Sequence, residues 1–107
     1  MEKTLDIGGK KVRFKATGGT MLRYKMQFGR EYFADCVELA KLKKSKNIKD
    51  IDLTPFYRIA WVLAKTAEPE IPDLLEWLDG FERFPILDIV EQLGDIISGN
   101  IKIDRKN

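Results

Sequence analysis

The chain is organised around one stretch, Thr54-Pro55-Phe56-Tyr57-Arg58-Ile59-Ala60-Trp61-Val62-Leu63-Ala64-Lys65-Thr66-Ala67. Thr-Pro is a helix start, with Thr54 as the N-cap and Pro55 at the first helical position, where its missing N–H costs nothing. Phe56, Ile59, Ala60, Leu63 and Ala67 recur at helical spacing, and Trp61, Val62 and Ala64 widen the stripe. An apolar surface that broad predicts the most buried helix of the protein. The remaining segments must therefore be arranged around it.

Toward the N-terminus, Ser45 to Asp52 reads as a polar connection. Before it, the spacing predicts a helix over 30–44, with Phe33, Cys36, Val37 and Ala40 as its apolar face and Leu39 on the shoulder. Lys41, Lys43 and Lys44 load its last turn, where cations oppose the helix dipole. A shorter helix is expected from Met21 to Phe28, capped by Thr20 and ended or kinked by Gly29. The first segment alternates around Gly8-Gly9, with Leu5, Ile7, Val12 and Phe14 on one face and Lys11, Arg13 and Lys15 on the other. That is a β-hairpin signal. Its apolar face needs a cover, because an isolated two-stranded hairpin is marginal in water.

Toward the C-terminus, Pro69 and Pro72 force the chain out of the long helix. Asp73 opens a short helix through Trp77 and Leu78, stopped at Gly80. Phe81 and Phe84 bracket a turn. A last helix is expected from Pro85 to about Ser98, with Ile86, Ile89, Val90, Leu93 and Ile97 on its inner face and Gly94 as a weak point. The expected fold is α+β and mostly α. An N-terminal hairpin over 1–16 precedes a helical body of four to five helices over 20–99 and a flexible tail over 100–107, all in one compact domain.

Composition narrows the chemistry. The 107 residues include no histidine and one cysteine, Cys36. Ser-His-Asp and Cys-His catalysis, imidazole metal sites, Cys₄ zinc sites and internal disulfides are thereby excluded. Cys36 falls on an apolar helical face and reads as a core residue. Neither Gly8-Gly9 nor Gly18-Gly19 has the spacing of a phosphate loop. No run approaches the ~18 apolar residues of a membrane span, and the first residues carry no apolar signal segment. These observations predict an intracellular protein that is not an enzyme, with no catalytic, cofactor-binding or metal-binding residues.

Charge is unevenly spread. Residues 1–50 hold thirteen Lys/Arg against six Asp/Glu, a net +7, and residues 51–107 hold six against eleven, a net −5. Such polarity either pairs the two halves within the fold or favours directional association, including self-association. The acidic run Glu68, Glu70, Asp73, Glu76, Asp79 and Glu82 lacks the loop pattern of a calcium site and reads as a solvated face. The lysines at 41, 43, 44, 46 and 49 can contact phosphates. However, the connection after them is too long for a helix-turn-helix, and no recognition helix accompanies them. Trp61, Trp77 and Phe81 read first as core. Trp77, on a short acidic helix, is the tryptophan expected to be partly exposed. With Phe81, Tyr24 and Phe28 it forms the expected partner-binding set.

Three further elements carry a resemblance: Arg23-Tyr24-Lys25 with Phe28-Gly29-Arg30, then Ala64-Lys65-x-Ala67-x-Pro69-x-Ile71-Pro72-Asp73, then Glu76-Trp77-Leu78-Asp79-x-Phe81. In this order and spacing the chain resembles the tail assembly chaperones encoded by long-tailed phages and prophages of Gram-positive bacteria. The likeness spans nearly the whole chain and stops at Ile101. It implies a non-enzymatic chaperone of the host cytoplasm, without cofactor or nucleotide. Such a protein binds the tape-measure protein, keeps it soluble, helps recruit tail-tube subunits and is absent from the mature virion. The alternatives are a small phage or mobile-element DNA-binding regulator and, third, a host adaptor protein with no phage role. No specific nucleic acid and no membrane are expected as partners under the chaperone reading.

Overall fold

The computed structural model describes residues 1–44, 49, 51–99 and 101. The hairpin is β1 (Glu2–Ile7) and β2 (Lys10–Lys15), paired antiparallel with Leu5 opposite Val12 and Lys3 opposite Phe14. Gly8 and Gly9 both take positive φ, 59° and 88°, which L side chains resist and glycine does not. Among the described residues six helices follow: α1 (Thr20–Phe28), α2 (Tyr32–Lys44), α3 (Thr54–Ala67), α4 (Leu74–Asp79), α5 (Ile86–Gln92) and α6 (Gly94–Ser98). The architecture is α+β and mostly α, as the sequence predicts.

Helix α3 is the axis of the molecule. Strand β2 and helices α1, α2, α4 and α5 all pack on it. Phe56, Ile59, Ala60, Trp61, Val62, Leu63 and Ala64 are all buried. Each large apolar side chain so buried contributes about 1.5–3 kcal/mol relative to exposure, so this helix supplies much of the core. The hairpin lays Leu5, Ile7 and Phe14 against the body, with Val12 half-buried beside them. Lys11 and Arg13 on the opposite face stay exposed, and Lys15 is half-buried.

Several local expectations are corrected. Thr20 does not cap α1. Gly19 takes that position, and the buried Thr20 hydroxyl instead accepts the Thr17 backbone N–H at 2.8 Å. The cap of α3 is Leu53 rather than Thr54, and the Asp52 carboxylate accepts the Thr54 N–H at 2.9 Å. Helix α2 starts at Tyr32, not Arg30, because Gly29 ends α1 in the left-handed region at φ 68°. The last helix is two. Leu93 leaves helical geometry (φ −89°, ψ 1°) while its side chain stays fully buried, and a new helix sets off at Gly94. The connection expected over 45–52 is described only at Lys49, Ile51 and Asp52, and the tail expected over 100–107 only at Ile101. The rest of both segments lies outside the described residues, as do Lys46 and the side chain of Lys43.

Candidate functional site

Two stripes on α2 have helical spacing, and the one facing inward is not the one expected. Tyr32, Asp35 and Cys36 are buried, with Leu39 and Leu42 half-buried behind them. Phe33 and Val37, placed in the core by the sequence, are 53% and 40% exposed, and Ala40 is exposed with them. The reason is polar. Asp35 is drawn inward by partners that no periodicity reveals. The Tyr24 hydroxyl donates to its Oδ2. Arg30 reaches both carboxylate oxygens, at 2.9 and 3.1 Å. Arg58 of α3 stands 3.4 Å from Oδ2 and donates to the Tyr24 oxygen at 3.2 Å. Burial pushes the Asp35 carboxyl up, but hydrogen bonds from Arg30 and Tyr24 and the charges of both arginines outweigh it, leaving it below the usual Asp value. Burial and the Asp35 contact push the Tyr24 hydroxyl well above its ordinary range. This network rotates α2 and so sets which stripe is left outside.

The outward stripe faces α6 across an open groove of about 480 Å³. Its floor is Phe33, Val37, Ala40 and Leu39 on one side and Ile97 and Ile101 on the other, with Glu91 and Asp95 at the rim. The Tyr32 hydroxyl donates to the Ile97 carbonyl at 2.9 Å, fastening α2 to α6 beneath the groove. Cys36 lies at the base. Desolvation pushes its thiol up to about 12, so it is protonated and a poor nucleophile at neutral pH. The groove is apolar, rimmed by acids and open along its length.

The residues expected to bind a partner are dispersed. Trp77 is 7% exposed, a correction to its expected exposure. Its ring meets Phe81 and Phe84 edge-on, both at 5.3 Å between centroids, and Phe84 continues to Tyr57 of α3. Tyr24 is fully buried in the Asp35 network, a second correction. Phe28 is half-buried against Trp61 and Tyr24. Phe81 is half-buried and, with Trp77, lines a smaller hollow of about 200 Å³ beside β2, where Lys10 lies 5.2 Å from the Phe81 ring centroid. The two pairs are thus parts of separate clusters. Phe33, Val37 and Ala40, the residues of the larger groove, were missed as surface residues. The available signal was the set Tyr24, Arg30, Asp35 and Arg58, whose mutual satisfaction requires Asp35 to face inward.

The elements behind the resemblance have visible structural work. The first supplies Tyr24 and Arg30 to the Asp35 network. The second is a proline-rich connection pinned by Trp61, which precedes it and donates its indole N–H to the Pro72 carbonyl at 2.9 Å, and by Lys65, whose ammonium donates to the Ile71 carbonyl at 2.8 Å. The third builds the Trp77 cluster. Charge polarity is only partly resolved by pairing. Among the described residues, Arg13–Glu68 (3.6 Å) and Arg58–Asp35 (3.4 Å) join the two halves, while the other ion pairs lie within residues 1–50. Also among the described residues, no three His, Cys, Asp or Glu side chains group as metal ligands, and no helix is long and apolar enough to cross a membrane. No protein-family model, curated protein or solved structure matches this chain.

Proposed function

We propose that this chain is a non-enzymatic tail assembly chaperone that holds apolar helical segments of a tape-measure protein in the α2–α6 groove, and helps gather tail-tube subunits around it. The supporting observation is the outward apolar stripe Phe33, Val37 and Ala40 on a helix whose rotation is fixed from below. Exposed apolar surface kept in place by a buried polar network is suited to binding. A tape-measure protein is long and helical, and an amphipathic helix laid into an apolar groove is the matching recognition mode. In this reading the protein acts in the host cytoplasm, uses no cofactor and leaves before the virion matures.

The test is co-expression with the tape-measure protein of the same phage or prophage. Soluble, co-purifying tape-measure protein with the wild-type chain, and its loss to the pellet with Val37→Asp, is the expected result. An insoluble tape-measure protein in both cases refutes the reading. Tight, sequence-selective DNA binding at physiological salt would support the regulator reading instead.

A further inference from the structure

The two walls of the α2–α6 groove differ in charge. The α2 wall is apolar. Phe33, Val37 and Ala40 run along two turns, about 10 Å, and all three are exposed. Lys44, one turn further along the same stripe, is exposed and closes the apolar run. The opposite wall adds Ile97 and Ile101 to the floor, but its rim is Glu91 and Asp95, the charged side chains that line the groove among the described residues. Both are exposed, and neither carboxylate has an ion-pair partner among the described residues. Lys3 reaches the end of α5, but its ammonium donates to the Gln92 carbonyl at 2.8 Å rather than to either carboxylate. An occupant of this groove therefore needs two features. An apolar stripe of about two turns fills the floor. A cation on the flank beside α5 and α6 meets the carboxylates, which a neutral or acidic flank would crowd without pairing.

We infer that the groove selects its partner by charge as well as by shape: it takes amphipathic helices that carry Lys or Arg on the flank beside their apolar stripe, and it discriminates against helices that carry Asp or Glu there. The inference rests on the helix-in-groove reading above and names which helices the groove accepts. On that reading, the tape-measure segments held are those with basic flanks. Rim pairs of this kind act chiefly on specificity and on the rate of encounter, so each is modest and is weakened by salt.

The test uses three alanine-based helical peptides of about 20 residues. They share a leucine stripe at i, i+4 and i+7 and differ only in the flank, which carries Lys, Gln or Glu. Each bears a fluorophore, and anisotropy reads binding to the full chain. The Lys peptide is expected to bind roughly three- to ten-fold more tightly than the Gln peptide, as two exposed ion pairs would give, and the Glu peptide more weakly than either. Raising salt should close these gaps. The double variant Glu91→Gln, Asp95→Gln should bind the Lys and Gln peptides alike. The reversal Glu91→Lys, Asp95→Lys should favour the Glu peptide, and far-UV circular dichroism checks that each variant is folded. A Lys peptide with serine in place of leucine should not bind. Three peptides that bind equally overturn the inference, as does a Lys preference that survives loss of both carboxylates or persists without the leucines. If all three bind equally and Val37→Ser weakens them alike, the helix-in-groove reading stands and the charge selection alone falls. If none binds the wild type, the helix-in-groove reading fails first and takes the inference with it.

Discussion

Replacing Asp35 by Asn removes the one negative charge at the centre of the network joining α1, α2 and α3. Asp35 is almost wholly buried, Arg58 is mostly buried and Arg30 is about half exposed. The Arg30 pair is therefore screened by solvent and contributes little. The larger loss is Arg58, left largely inside without its counter-charge, together with a weaker acceptor for the Tyr24 hydroxyl. Breaking a buried ion pair from one side costs about 3–5 kcal/mol, a large part of the ~5–15 kcal/mol that holds a domain together. For a chain of this size that lowers the melting temperature by roughly 12–20 °C. The assay is thermal and urea denaturation followed by circular dichroism, for wild type and Asp35→Asn in parallel, from pH 7 down to pH 2. The carboxyl titrates lower in the folded state than its ordinary 3.8. Its contribution is thus fully present above that value and is lost as pH falls through the lower folded pKa. The two proteins should converge in stability only below about pH 3.8. A variant within about 0.5 kcal/mol of wild type at pH 7, the spread of an ordinary surface substitution, would refute the claim that this network holds α2 in place.

Trp77→Ala should cost about 3–5 kcal/mol, seen as a fall in the urea midpoint; a stable variant would mean the Trp77–Phe81–Phe84 cluster is peripheral. Val37→Ser should leave stability within about 0.5 kcal/mol of wild type while reducing binding of an apolar dye, and a large loss of stability would mean that Val37 is core after all. Gly94→Ala should stabilise by about 0.5–1 kcal/mol, since a Cβ there meets nothing within 4 Å and the backbone has no positive φ; a lower melting temperature contradicts that. Cys36 should react far more slowly with a thiol reagent at pH 7 than a free cysteine, because its thiol is buried and pushed up to about 12; rapid labelling of the native protein would show that the groove base is open.

The hairpin and α3 were readable because their signals are local and strong. Gly8-Gly9 sits between alternating strands, and α3 has one broad stripe with a proline at its start. The rotation of α2 was not readable, because Phe33-Val37-Ala40 and Tyr32-Cys36-Leu39 both satisfy helical spacing. The tie is broken by Asp35, a charged residue that local reasoning assigns to solvent. Trp77 was misplaced for a related reason. Its sequence neighbours are acidic, whereas its packing partners include Phe84, and through Phe84 the ring of Tyr57 on a different helix. The division between α5 and α6 was half visible: Gly94 marked the weak point, but the buried Leu93 that turns the chain there is specified by tertiary packing.

Because so many elements rest on α3 and so few on one another, backbone amides should exchange with solvent in a graded order. Those of α3 open only when the whole molecule does. Strand β1, joined to the body chiefly through β2, and α6, joined chiefly through α5, can open in smaller fluctuations, as peripheral units of a domain generally do. Helix α6 is one wall of the groove and α2 the other, and the Tyr32–Ile97 hydrogen bond ties the two walls together. Any widening of the cleft therefore breaks that bond and uncovers the buried Ile96 and Ile97.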